Sequence, residues 1–156
     1  MAFITISGFG QRKGTIKLYG YVQYASGGKG PEGTGLRVSK GAGKNYFIYA
    51  SSPSSINATE VWIEGVRYSV STKTVKDPVE YADAGNIGAP KKVLVPQTHQ
   101  KLVQLIPNSS INAKSGSTKW KSLALTNALV VVYKQNGKLY YSALKTLSDL
   151  QSASMQ

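Results

Sequence analysis

Among 156 residues, the side chains able to carry out covalent or metal chemistry are few: no cysteine, one histidine and seven carboxylates. Without thiols there is no disulfide framework, thiolate zinc site, iron–sulfur cluster or cysteine nucleophile. His99 sits in Pro96-Gln97-Thr98-His99-Gln100-Lys101, a run of turn-forming and solvent-seeking residues. A Ser-His-Asp triad would have to use that histidine, and the G-x-S-x-G turn that presents a nucleophilic serine does not occur. Glu80 and Asp83 could help hold a hard cation together with loop carbonyls, but the run lacks calcium-loop spacing and reads as solvated surface. No spacing picks out two carboxylates flanking a cleft, as glycoside hydrolysis requires. These residues predict a protein that is not an enzyme and carries no metal or cofactor.

Two glycine-rich stretches resemble phosphate-binding loops: residues 27–35, and Gly41-Ala42-Gly43-Lys44. A Walker loop needs glycine where Val38 stands and Ser or Thr where Asn45 stands, so neither stretch qualifies. They are expected to be loops that order when a partner packs on them, with Lys29, Lys40 and Lys44 as candidate contacts. Asn57-Ala58-Thr59 and Asn108-Ser109-Ser110 match the glycosylation triplet, which matters only in an exported chain.

Charge is the strongest global feature. Nineteen basic residues against seven acidic ones give a formal charge of +12. Between Asp83 and Asp149 lie nine lysines and no acid. Such a field favours polyanions or an acidic protein surface. Only Arg12, Arg37 and Arg67 are arginines. Bidentate reading of guanine and phosphate is arginine work, so sequence-specific nucleic-acid recognition is disfavoured.

Tyrosine is used ten times and is interleaved with lysine. Tyr19 and Tyr21 share a strand face with Lys17, and Tyr133 with Tyr140 or Tyr141 stands beside Lys134 and Lys138. Trp120 lies between Lys119 and Lys121. Aromatics beside lysines can stack single-stranded bases over a positive groove. The same residues serve protein interfaces and ordinary cross-strand packing. Lys17, Tyr19, Tyr21, Lys119, Trp120, Lys121, Lys134 and Lys138 are therefore the candidate binding residues.

The elements that position them follow from period-2 alternation. In residues 15–24, Ile16, Leu18, Val22 and Tyr24 point one way, and Gly20 on that face marks a bulge or a close approach. Residues 1–8, 35–40 and 45–50 read as further strands. Residues 60–64 and 66–72 form a hairpin about Gly65. Asn136-Gly137 between 129–133 and 139–141 is the signature of a type I′ hairpin. The run Leu129-Val130-Val131-Val132 lacks alternation and should be buried on both faces. Residues 91–96 and 101–106 make a shorter pair, and 119–125 supply one more strand. Helical period occurs only at the C-terminus, where Ser142 can cap and Ala143, Leu144, Leu147 and Leu150 form a stripe.

The expected fold class is all-β, an antiparallel sandwich or barrel with one short C-terminal helix. Residues 1–156 are expected to form one domain with a crossover at 82–90; two lobes, 1–81 and 91–156, are the alternative. No apolar window reaches membrane-span length, and residues 1–8 lack the features of a signal peptide, so the chain reads as non-exported, or secreted if a leader has been removed. The expected function is a structural component docking on an acidic protein surface within an oligomer or larger assembly, such as a phage-type virion or capsid accessory protein. The alternatives are a module binding single-stranded nucleic acid or another polyanion, and a secreted surface or carbohydrate-binding module.

Overall fold

The structure, a computed structural model, describes residues 12–24, 44–82, 91–112 and 118–150. Its strands are β1 (Arg12–Lys13), β2 (Lys17–Tyr24), β3 (Lys44–Ser52), β4 (Asn57–Ile63), β5 (Val66–Thr74), β6 (Val79–Tyr81), β7 (Lys92–Val95), β8 (Lys101–Ser110), β9 (Leu129–Gln135), β10 (Lys138–Leu144) and β11 (Ser148–Asp149); one helix, α1, spans Thr118–Thr126. The expected strands at 1–8 and 35–40 lie outside the described residues.

Nine strands form one sheet in the order β1-β10-β9-β4-β5-β8-β3-β2-β11, and β6 pairs with β7. The large sheet curls into a half-barrel, with β2 approaching β10 across the seam. Pairing is antiparallel except at the two ends, where β1 joins β10 and β11 joins β2 in parallel. Strands from before and after residues 82–90 share this sheet, and the stretch itself is bracketed by the paired residues Tyr81 and Lys92.

The turns obey their chemistry. Glu64 and Gly65 have φ of 50° and 84°, and Asn136 and Gly137 have 55° and 77°. Two consecutive positive values are what a two-residue type I′ connection requires.

Alternation sorts each strand between two faces. Ile16, Leu18, Ile48, Val61, Ile63, Leu105, Leu129, Val131 and Tyr133 fill the concave interior. Burying a side chain of this size contributes about 1.5–3 kcal/mol, so this interior dominates stability. Two further cores lie on the convex face. Helix α1 sets Trp120 and Ala124 over Trp62, Val130 and Val132, and β7 sets Leu94 and Val95 over Tyr49 and Leu102. Residues 129–132 are therefore buried on both sides, as their unbroken apolar run implies.

Three expectations need correction. Among the described residues the single helix is α1, at Thr118–Thr126, where residues 119–125 were expected as a strand. The C-terminal stripe is not helical: Ser142–Leu144 extend β10 and Ser148–Asp149 form β11. Leu144 and Leu147 do turn to the core as the stripe suggested, but on extended chain, beside Gly20. Residues 91–96 and 101–106 do not pair with each other; β7 pairs with β6, and β8 with β3 and β5.

Candidate functional site

Tyr19 and Tyr21 share the convex face of β2, as alternation requires, but the β6–β7 hairpin packs on that face. The Tyr21 hydroxyl donates to the Leu94 carbonyl at 2.6 Å. Burial pushes its phenol pKa above the usual value, and Tyr19 beside it adds to the effect. Lys17 lies 5.5 Å over the Tyr19 ring. A base stacking on this pair would have to displace the hairpin.

Trp120 is buried under α1 against Tyr141, with ring centroids 5.7 Å apart, while Lys121 is exposed and Lys119 is half-buried. Lys134 and Lys138 stand exposed on either side of the Asn136-Gly137 turn. Lys29 and Lys40 lie outside the described residues. Lys44 is bound to Glu64 at 2.9 Å and lies 5.3 Å over the Tyr24 ring. That hydrogen bond raises the Lys44 pKa and lowers the Glu64 pKa. Tyr46 also donates to Glu64, at 3.0 Å. Burial, reinforced by that bond, pushes the Tyr46 phenol far up. The structure thus separates the candidate residues into a covered aromatic pair, a helix, a hairpin tip and a local ion pair, rather than one groove.

A second feature was not singled out by sequence reasoning. At the end of the half-barrel where β5 ends and β8 begins, a cleft of about 430 Å³ opens on the concave face. Ala50, Ile56 and Val103 give it an apolar floor; Ser52, Ser54, Thr72 and Thr74 give it hydroxyls; Lys76, Lys101 and Asp77 add charge. Gln135 at the hairpin tip donates to Ser52 Oγ at 2.9 Å and to Ser54 Oγ at 2.8 Å, so the cleft wall and the cationic tip are joined. The signal was present in Ser71-Thr72-Lys73-Thr74, four polar residues on one strand. Beyond Tyr68 and Val70, which pack on the core, this end of β5 offers no apolar side chain to a core.

The convex face also holds a buried ion pair. Glu60 accepts from Arg67 Nη2 at 2.7 Å and Nε at 3.1 Å, and from Trp62 Nε1 at 2.8 Å. The bulge between Ala58 and Glu60 turns this carboxylate onto the Arg67 side. Every group in the cluster is partnered, so its role is structural. Among the described residues no three metal-ligating side chains converge, and no helix is long and apolar enough to cross a membrane. Compared with known families, curated proteins and solved structures, the chain finds no match.

Proposed function

We propose that this chain is a non-enzymatic structural component that docks through its lysine surface on an acidic protein face of a larger assembly. The observation supporting this reading is how the charges are partnered. Glu60, Glu64 and Glu80 each already face a cation, and Asp77 accepts the Thr98 backbone N–H. Exposed Lys73, Lys92, Lys121, Lys134, Lys138 and Lys145, by contrast, face no carboxylate within ion-pair distance among the described residues. Carboxylates on a partner's face would complement these lysines, and complementary potential steers association and fixes register. The packing of Tyr19 and Tyr21 under β7 favours a protein face over stacked bases as that partner.

The test is retention of the whole chain on immobilised poly-L-glutamate, heparin and single-stranded DNA across a salt series. Polyglutamate should hold the protein at least as well as DNA does, and retention should fall as salt rises. The double substitution Lys134→Glu/Lys138→Glu should weaken it on every matrix. Preference for single-stranded DNA persisting at about 0.15 M salt would replace this reading with the nucleic-acid one. Retention indifferent to both salt and charge reversal would overturn docking by charge altogether.

A further inference from the structure

The cleft on the concave face carries an assignment of its own, independent of the lysine surface above. We propose that it binds an anionic carbohydrate unit, a hydroxylated ring or chain bearing a carboxylate, sulfate or phosphate.

Two lysines mark one side of the cleft. Val75 N–H donates to the Leu102 carbonyl at 3.2 Å, continuing the β5–β8 ladder past its last pair, Thr74 and Val103. Lys76 and Lys101, one residue further along each chain, therefore stand at neighbouring positions, and both line the cleft. Neither has a carboxylate within ion-pair distance among the described residues. Like charges directly opposite one another are unfavourable, and with two lysines against the one carboxylate of Asp77 the cleft keeps a net positive charge that an anion would offset.

An anion alone does not satisfy the site. Asp77 lines the same cleft, and with one oxygen taken by Thr98 N–H it retains acceptor capacity. An ionised carboxylate only accepts, so its complement is a hydroxyl, and a bare anion would meet repulsion there. Thr72 and Thr74 add exposed hydroxyls that both donate and accept. Ser52 and Ser54 are held in place by Gln135 before any ligand arrives, which lowers the ordering cost of binding. Beneath them, Ala50, Ile56 and Val103 offer an apolar floor suited to the C–H face of a sugar. The volume of about 430 Å³ lies within the span of small-molecule sites, about 300–1,000 Å³. Anionic group, hydroxyls and C–H surface are combined in one ligand class.

The experiment titrates the whole chain with glucuronate, glucose 6-phosphate, glucose and sulfate at about 0.15 M salt, following backbone amide shifts by NMR. Both anionic sugars should move amides of residues 50–56, 72–77 and 100–103 saturably. Glucose and sulfate should each bind about tenfold more weakly or worse, having lost one set of partners. Lys101→Gln should remove about tenfold from the anionic sugars and leave glucose unchanged. Asp77→Asn should weaken sugars while strengthening sulfate, an inversion that a purely structural role would not produce. If that variant does not fold, Thr74→Val should weaken the sugars alone. Lys91→Gln, outside the cleft and paired with Glu80, should leave sugar binding unchanged. Sulfate or a hexaglutamate peptide binding as tightly as the anionic sugars would overturn the proposal and leave the cleft part of a general cationic surface. Shifts confined to residues outside the cleft, or no saturable binding, would overturn it outright.

Discussion

Gly14 offers the sharpest test of how the half-barrel closes. A Cβ added there would lie 1.5 Å from Tyr133 Oη and 2.6 Å from its Cζ, where unbonded heavy atoms settle at about 3.5–4.0 Å. Tyr133 cannot swing aside, because it is wholly buried and stacks on Tyr140 with centroids 5.7 Å apart. The Gly14 backbone is equally fixed, since its N–H donates to the Tyr141 carbonyl at 2.7 Å. Its φ is not among the positive ones, so the effect of Gly14→Ala is steric rather than conformational. Overpacking of this kind costs about 1–3 kcal/mol. The lower unfolded-state freedom of alanine returns about 0.4–1 kcal/mol. With no route of relief the upper end applies, and we expect a net loss of about 2 kcal/mol, or ~4–8 °C in Tm. Gly20→Ala is the comparator. Its Cβ would meet Leu147 Cδ2 at 2.6 Å, but that atom is the free end of a half-buried chain and can turn away. Its loss should stay under about 1 kcal/mol. Urea unfolding, with the m-value checked for constancy, measures both. Tyr133→Phe in the Gly14→Ala background should recover part of the loss. Gly14→Ala no less stable than Gly20→Ala would refute the close approach of Gly14 to Tyr133.

Arg67→Met should cost about 3 kcal/mol, because it leaves the buried Glu60 carboxylate without its cation, whereas Glu60→Leu/Arg67→Met should lie much closer to wild type; a double-mutant cycle in urea separates the two. Tyr21→Phe removes the hydroxyl that donates to the Leu94 carbonyl and should cost about 1 kcal/mol, with faster amide exchange in β6 and β7 and little change in β9. The Glu64 pKa is lowered in the folded state, chiefly by the Lys44 hydrogen bond. Its contribution is therefore present above the usual carboxylate value of 4.5 and is lost as pH falls below it. Glu64→Gln should be less stable than wild type at neutral pH by under about 1 kcal/mol, given its exposure, and the gap should close on acidification, as thermal melts at several pH values would record.

Most of the sheet was legible because its signals are local. Asn136-Gly137, the 2-residue period of Lys17–Tyr24 and the unbroken apolar run from Leu129 each specify their own surroundings. The helix was not legible. Its residues, Thr-Lys-Trp-Lys-Ser-Leu-Ala-Leu-Thr, open on the strand-like alternation Lys119-Trp120-Lys121, and the helical spacing of Trp120, Leu123 and Ala124 spans little more than one turn; docking Trp120 and Ala124 on Trp62 and Val130 makes the choice. The C-terminal stripe misled for the converse reason. Leu144 and Leu147 fill the space left by Gly20, a demand that arises only once the sheet has curled. Of the candidate residues, Lys134 and Lys138 were placed by their turn, whereas the fate of Tyr19 and Tyr21 depended on a hairpin more than 50 residues away in sequence. The cleft was visible in outline as a polar strand, but its depth comes from the curvature of β3, β8 and β5 together.

The two-residue strands β1 and β11 sit at the outer positions of the sheet, β1 along Tyr140–Tyr141 of β10 and β11 along Tyr21–Val22 of β2. Leu150 N–H adds a further bond to the Val22 carbonyl, and Gly14 N–H one to Tyr141. Each margin of the sheet is thereby sealed over its middle by a short piece of the chain's own flank. An open margin is a template on which a second copy, or any extended peptide, can add itself. Covering each margin over its middle makes the addition of a further strand there less favourable.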